Sequence, residues 1–271
     1  MPTPAPPERE SKSDPTRPVT DYFTGLADEY ESHRPGYPLE AIAAALEGLA
    51  PPVRVADVGC GTGICSRLLA EAGAEVIGLE PNADMLAVAR CHPAPAPGKG
   101  KTVYRQASAE QTGLADASVD LVLCAQAFHW FDAPTALAEF SRILASGGRL
   151  ALLWNRRDQS DPFMAGYEQV MTQAQDDARG QGRLTRKNRA YDPATGGLFT
   201  NVRRLIFDNT QRLDRGGLIG RARSASYFPE ARALKAGLEA TLHRLFDEHE
   251  SDGLIIFRQR AELTLADAKR D

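Results

Sequence analysis

Two carboxylates and three alternating glycines carry the chemistry that is easiest to read in this chain. Asp57 comes just before a turn containing Gly59, Gly61 and Gly63, and Glu80 follows about twenty residues later. Glycine adopts positive φ without steric cost and lets backbone approach a ligand closely. A carboxylate at the end of the next strand is placed to hydrogen-bond the hydroxyls of a ribose. The elements needed to hold these residues are present. Val53, Val55 and Val58 make a β-branched run into the turn, and Leu68 and Leu69 give the following segment an apolar helical face. A second strand then ends on Glu80. Residues 53–80 read as a nucleoside-binding βαβ unit.

The nucleoside is narrowed by two departures from the dinucleotide fingerprint. Gly-x-Gly-x-x-Gly would place its third glycine where Ile64 stands. Asp57 would also repel a pyrophosphate, because like charges a few ångströms apart in a partly dry cleft interact by several kcal/mol. S-adenosylmethionine carries a sulfonium and an ammonium and no phosphate, so Asp57 favours it over NAD or FAD.

Along the chain, the pattern alternates between strand and helix. Residues 1–18 are rich in Pro, Ser and charge and read as a disordered tail. From Thr20, the residues Tyr22, Phe23, Leu26 and Tyr30 share a helical face, and a second helix is expected over Leu39–Leu49. Asn82–Arg90 is expected to be a helix with Pro81 at its entrance and Met85 and Leu86 on its face. Lys101–Ala107 is the third strand, and Leu121–Ala125 the fourth, its apolar run fitting a strand buried on both faces. Gln126 ends that strand, where ligands bind in open α/β sheets. A helix over Pro134–Leu144 and a fifth strand over Arg149–Trp154 follow. Farther on, residues 160–178 read as helix, Arg179–Arg189 as a basic loop, Val202–Phe207 and Leu254–Phe257 as strands, and Pro229–His249 as a long helix.

The stretches ADVGCGTG (56–63), LEPNADML (79–86) and ASAEQTGLADASVDLVLCAQAFHWFD (107–132) resemble the class I S-adenosylmethionine-dependent methyltransferases. The last stretch is similar to the small-molecule branch that includes trans-aconitate methyltransferase-like proteins. The resemblance covers residues 20–155 well and the remainder loosely. It implies a doubly wound, Rossmann-like α/β fold with a seven-stranded sheet, mostly parallel with an antiparallel edge. N-terminal helices (20–50) would form a lid over a cofactor core (53–155). A cap-like insertion (156–200) would follow strand five, before C-terminal strands and helices (201–271).

The implied cofactor site draws on Asp57, Gly59, Cys60, Gly61, Gly63 and Glu80, with Pro81 and Met85 beyond them and Gln126 at the fourth strand's end. Tyr30 and Arg34, in the lid, are candidates for the methionine carboxylate, which arginine's planar fork matches. Ser108 and Ala109 fall in the turn that contacts adenine in similar enzymes. Many of those have Asp where Ser108 stands, and serine accepts the same bond without the charge.

His129, just past the fourth strand, is the candidate general base, since imidazole titrates near neutrality; a structural histidine beside Trp130 is the competing reading. The Asn/Asp-Pro-Pro-Tyr stretch that holds planar nitrogens for methylation is missing, Ala125-Gln126-Ala127-Phe128 standing in its place. Methylation of exocyclic amines and amides is thereby disfavoured.

Charge is unevenly spread. Residues 1–155 carry 12 Lys+Arg against 19 Asp+Glu, and the rest carry 20 against 17, within a net charge of −4. An acidic first half suits a cationic cofactor. Arg156, Arg157, Arg221 and Arg223 in the basic second half suit a small anionic acceptor. Nothing approaches the balance of a nucleic-acid binder, no apolar run is long enough to span a bilayer, and the N-terminus has prolines where a signal peptide has its apolar core. Cys60, Cys65, Cys91 and Cys124 lack zinc spacing and are expected as mostly buried thiols, all consistent with a cytoplasmic protein. An NAD-linked oxidoreductase and a non-catalytic cofactor-binding or interaction protein are the alternatives, with RNA or an amine as the alternative acceptor.

Overall fold

The computed structural model describes residues 23–180, 193, 196–229 and 231–269. It contains a single seven-stranded sheet. The strands are β1 (Arg54–Val58), β2 (Glu75–Leu79), β3 (Lys101–Arg105), β4 (Val119–Ala125), β5 (Leu144–Arg157), β6 (Phe199–Leu213) and β7 (Ile255–Ala268). Their spatial order is β3-β2-β1-β4-β5-β7-β6. β1 to β5 pair in parallel, and β7 runs antiparallel to both β5 and β6. This is the doubly wound sheet with an antiparallel edge that the alternating pattern and the family resemblance together predict.

The sheet buries both faces. Along β4, Val122 and Cys124 join a cluster with Phe128, Leu137 and Phe140, while Leu121 and Leu123 join the opposite cluster with Ile42, Val55 and Leu69. A strand covered on both sides has no polar alternation to show, which is why β4 reads as an unbroken apolar run. Each such side chain contributes about 1.5–3 kcal/mol on burial.

Helices α1 (Ala27–His33), α2 (Leu39–Leu46), α3 (Ile64–Glu71), α4 (Ala83–Cys91) and α5 (Ala133–Ile143) surround the first half. α4 and α5 start on side-chain caps, Asn82 accepting from the Met85 N–H and Asp132 from the Thr135 N–H. Several boundaries differ from expectation, β5 among them, which runs over Leu144–Arg157. The first helix starts at Ala27, because Gly25 adopts φ 76° and Phe23 belongs to a separate turn. α2 stops at Leu46, ahead of Gly48 at φ 77°. β6 and β7 run to 15 and 14 residues, well past the short apolar segments that marked them.

The second half adds α6 (Pro162–Gly180), α7 (Arg215–Arg223) and α8 (Arg232–His249). Tyr167 and Met171 of α6, Leu218 of α7, Leu242 and Phe246 of α8 and Phe257 of β7 form a third apolar cluster. The insertion after β5 is thus joined by two helices from the β6–β7 connection, and the three make one cap. α7 has no counterpart in the sequence reading. The 1–18 tail and nearly all of the basic loop over Arg179–Arg189 lie outside the described residues.

Since β1 connects outward to β2 on one side and borders β4 on the other, the strand order reverses between β1 and β4. A crevice opens there at the strands' C-terminal ends, where ligands of open α/β sheets bind.

Candidate active site

The turn after β1 is built by backbone geometry. Gly59, Gly61 and Gly63 have φ of 69°, 56° and 81°, a region unfavourable for any residue with a Cβ. Their surroundings differ. A Cβ on Gly59 would lie 2.5 Å from that of Ala127, and one on Gly63 would lie 2.5 Å from the Tyr104 hydroxyl. On Gly61 the nearest heavy atom would be 3.9 Å away, on the Tyr30 ring. Gly59 and Gly63 therefore permit close packing, whereas Gly61 keeps the front of the turn open.

Glu80 faces that opening and is 8% exposed. Its Oε2 accepts from the Gly61 N–H and its Oε1 from the Asn82 N–H, both at 2.9 Å. These bonds fix the carboxylate plane and leave further lone pairs toward the cleft. Burial raises its pKa, and the two backbone donors oppose the shift. Asp57 sits one layer beneath, fully buried, with Oδ2 accepting from Ser66 Oγ at 2.6 Å and Oδ1 without a partner. Burial raises its pKa to about 7, the Ser66 bond opposing and the Glu80 charge reinforcing. Asp57 does not line the cleft, the small cavity or the chamber described below.

Three connected spaces lie around this turn. A cleft of about 270 Å³ is lined by Gly59, Gly61, Glu80, Pro81, Met85, Ser108, Ala109 and Glu110, and closed by Ala127, Trp130 and Phe131. Among the described residues its charged lining residues are Glu80 and Glu110, with no Lys or Arg to meet a phosphate. Ser108 Oγ accepts from the Gln111 N–H and shapes its turn. A small cavity of about 30 Å³ beside the turn touches Gly59, Cys60 and Ile64 together with Tyr30, Arg34, Gln126 and Arg221. A chamber of about 380 Å³ lies beyond, between β5, the cap and the lid.

Tyr30 and Gln126 border all three spaces. Gln126 has φ 56°, a conformation rare outside glycine. Its N–H donates to the Leu153 carbonyl at 2.9 Å and its Nε2 to the Asn155 carbonyl at 3.1 Å, which holds it there. Strain of this kind persists where the surroundings over-determine it, often at functional sites. Phe23 packs edge-on against Tyr30 and Trp130, with centroids 6.0 and 5.7 Å apart, forming a lintel between cleft and chamber.

The chamber is cationic. Among the described residues Arg34, Arg156, Arg157 and Arg221 line it, with Glu168 as the one lining carboxylate. Arg157 pairs with Glu168 at 2.5 Å and donates to the Tyr227 hydroxyl at 3.2 Å, and Arg156 pairs with Glu262 at 3.2 Å. Arg34 and Arg221 have no ion-pair partner among the described residues. Arg221 is 6% exposed, and burial together with the charges of Arg34 and Arg157 lowers its pKa to about 9, against an opposing contribution from Tyr167. Arg223 stands apart, paired with Glu239 at 2.7 Å. His129 lines the chamber, its ring between those of Trp130 and Trp154 at 4.8 and 5.3 Å.

The structure thus brings Gly59, Gly61, Glu80, Pro81, Met85, Ser108, Ala109, Tyr30 and Gln126 to one cleft. It sets Cys60 and Arg34 at the small cavity, and Asp57 and Gly63 behind the turn. Phe23, Trp130 and Phe131 were missed as cleft residues; the aromatic run 128–131 was the available signal. Trp154, Tyr167, Tyr227 and Gln259 of the chamber had none, since they come from four separate segments.

A methyltransferase domain model matches residues 56–152. The chain is 36% identical over 205 residues to an uncharacterized methyltransferase of Mycobacterium tuberculosis, covering 76% of each chain. It is 40% identical over 116 residues to the malonyl-[acyl-carrier protein] O-methyltransferase of Methylococcus capsulatus, covering 41% of each. A solved structure described as a type II methyltransferase from Anaeromyxobacter dehalogenans superposes with a TM-score of 0.61 at 23% identity, over 87% of this chain and 97% of that one, and shares the fold. The chain belongs to the S-adenosylmethionine-dependent methyltransferases. The cleft fits that cofactor: a nearly buried carboxylate in its wall, an open glycine front and, among the described residues, acidic rather than basic walls. The NAD-linked alternative falls with it. No described helix is long and apolar enough to cross a membrane.

Proposed function

We propose that the chain methylates an oxygen, of a carboxylate or a hydroxyl, on a small anionic acceptor held in the arginine-lined chamber. The observation that carries this reading is the chamber's charge: among the described residues Arg34, Arg156, Arg157 and Arg221 line it, with Glu168 as the lining carboxylate. Guanidinium forks match carboxylate geometry, and a chamber with more guanidinium groups than carboxylates favours an acidic ligand. The volume of about 380 Å³ suits a small molecule. The resemblance to trans-aconitate methyltransferase-like proteins supports a carboxylate acceptor, and the Methylococcus relative, a malonyl-[acyl-carrier protein] O-methyltransferase, supports transfer to oxygen. The cytoplasm is the compartment that fits four free thiols, three of them buried.

Bound in the cleft, S-adenosylmethionine supplies an activated methyl group, and the protein's task is to orient the acceptor and exclude water. In this reading Glu80 holds the ribose, and Pro81, Met85, Ser108 and Ala109 pack around the base. Gly59 and Cys60 flank the methionyl end near Tyr30 and Arg34. Gln126 and Tyr30, bordering every space, mark where cofactor and acceptor meet. Arg156 and Arg157 would reach the acceptor from the end of β5, and Phe23 and Trp130 line both cleft and chamber. A carboxylate is ionised at neutral pH and needs no base; a hydroxyl would call on His129.

Incubation with methyl-labelled cofactor and a panel of carboxylic acids, phenols, amines and RNA tests this reading. Label is expected in the acids or the phenols. Label in amines or RNA alone would overturn it.

A further inference from the structure

Two arginines from opposite ends of the chain meet at the small cavity beside the glycine turn. Arg34 caps the lid helix α1, and Arg221 belongs to the cap helix α7. Both line that cavity together with Gly59, Cys60, Ile64 and Gln126. The helices approach so closely that a Cβ on Gly220 would lie 2.2 Å from the His33 ring.

Each arginine is anchored by the other's helix. Arg34 Nη2 donates to the Ser224 carbonyl at 2.8 Å, at the C-terminus of α7. Arg221 Nη1 donates to the His33 carbonyl at 3.4 Å, at the C-terminus of α1, and its Nη2 to Gln259 Oε1 at 3.3 Å. The ends of helices carry unpaired carbonyls and partial negative charge, so each terminus offsets part of one cation. The remainder is not offset. Neither guanidinium has a carboxylate within ion-pair distance among the described residues, and the Arg34 Nε is buried without a partner. Buried charges are normally paired, because an unpaired one is costly to take out of water. Aromatic faces, Tyr30 at 4.8 Å from Arg34 and Phe257 at 5.3 Å from Arg221, compensate weakly.

We propose that Arg34 and Arg221 together form a clamp for a carboxylate, the α-carboxylate of the cofactor, so that the cap helix α7 is part of the cofactor site. Arg34 and Arg221 line the cavity beside the glycine turn as well as the large chamber, whereas Arg156 and Arg157 line the chamber and not that cavity. The clamp gives the lid and the cap one shared anion to close on. It also explains why a buried and a half-buried guanidinium line the same small cavity.

Calorimetry tests the clamp without relying on turnover or on the acceptor. S-adenosylmethionine is compared with its decarboxylated analogue, which keeps the sulfonium and ammonium groups. On the unaltered protein the analogue is expected to bind at least tenfold more weakly, and equal affinities would overturn the proposal. Arg34→Met and Arg221→Met are each expected to weaken S-adenosylmethionine about tenfold and leave the analogue unchanged, with Arg221→Lys restoring part of the loss. Should Arg221→Met leave S-adenosylmethionine binding intact but abolish binding of citrate as a carboxylate probe, the arginine serves the acceptor and the clamp is wrong. An equal loss for both cofactor forms would mark a structural arginine, which also overturns it. The proposed acceptor class survives or fails separately, on the labelling panel.

Discussion

Asp57 is a buried carboxylate whose protonation a cation bound nearby would shift. Its folded-state pKa of about 7 lies above the ordinary carboxylate range, because burial dominates over its bond to Ser66. In the unliganded protein the folded state therefore keeps a proton that the unfolded chain has lost. Asp57's contribution is most favourable at low pH and is lost as pH rises through about 7. A cation bound across the glycine turn favours the ionised form, so binding expels this proton. S-adenosylmethionine affinity should rise between pH 6 and pH 7, by up to about tenfold per unit, and level off above. Asp57→Asn should flatten that profile. A pH-independent affinity in the unaltered protein would show that Asp57 does not sense the ligand. His129 gives a second prediction. Its ring lies between two tryptophans in the chamber wall. With a carboxylate acceptor, His129→Gln should change kcat by less than about threefold. With a hydroxyl acceptor, loss of a general base should cost ~10²–10⁴-fold.

At the scale of elements, the glycine turn divides into packing and binding positions. Gly61→Val projects into the cleft and should abolish cofactor binding in a folded protein. Gly63→Val must displace Tyr104 and should lower the melting temperature as well. Thermal denaturation beside calorimetry separates the two, and identical behaviour would refute the division.

The turn carrying Ser108 and Ala109 leans on α5. Glu139 accepts from the Thr112 N–H at 2.9 Å and forms a close pair with Arg142, which also holds the Leu114 carbonyl. The Arg142 hydrogen bonds hold the Glu139 pKa down to about 2. A depressed carboxylate stabilises above its unfolded pKa, and that stability is lost as pH falls from about 4 through about 2. Glu139→Ala should cost roughly 1–3 kcal/mol of stability and weaken cofactor binding without touching it. Unchanged stability in chemical denaturation would remove this network from the cleft's support.

Elements with a regular period were legible in the sequence. β1 to β5 and α3 to α5 carry apolar runs punctuated by Gly, Pro and capping residues. α7 escaped because Leu218 through Ala222 are buried consecutively, including Arg221, so no polar face marks the helix. β6 escaped in part because it is a largely exposed edge strand rich in charge, and only its apolar middle resembled a strand.

Across the whole molecule, the two ligand sites differ in how the chain encodes them. The cofactor cleft is drawn largely from three contiguous stretches, 56–63, 79–86 and 107–132, so residue type and spacing revealed Glu80 and its glycines. The chamber is assembled from the end of β5, α6, the segment around α7, and β7, which meet only after the cap folds on the sheet. Composition showed its basic character, while the identity of its walls required the fold. Arg223 illustrates the limit: it belongs to the same helix as Arg221 but points to Glu239.

The most direct measurement is calorimetric titration of S-adenosylhomocysteine into the unaltered protein and into Glu80→Ala, with circular dichroism confirming that both are folded. Removing a carboxylate that holds the ribose should weaken binding by about 1.5–3 kcal/mol, the scale of hydrogen bonds to charged groups. Equal affinity in a folded Glu80→Ala protein would contradict the placement of the cofactor in this cleft.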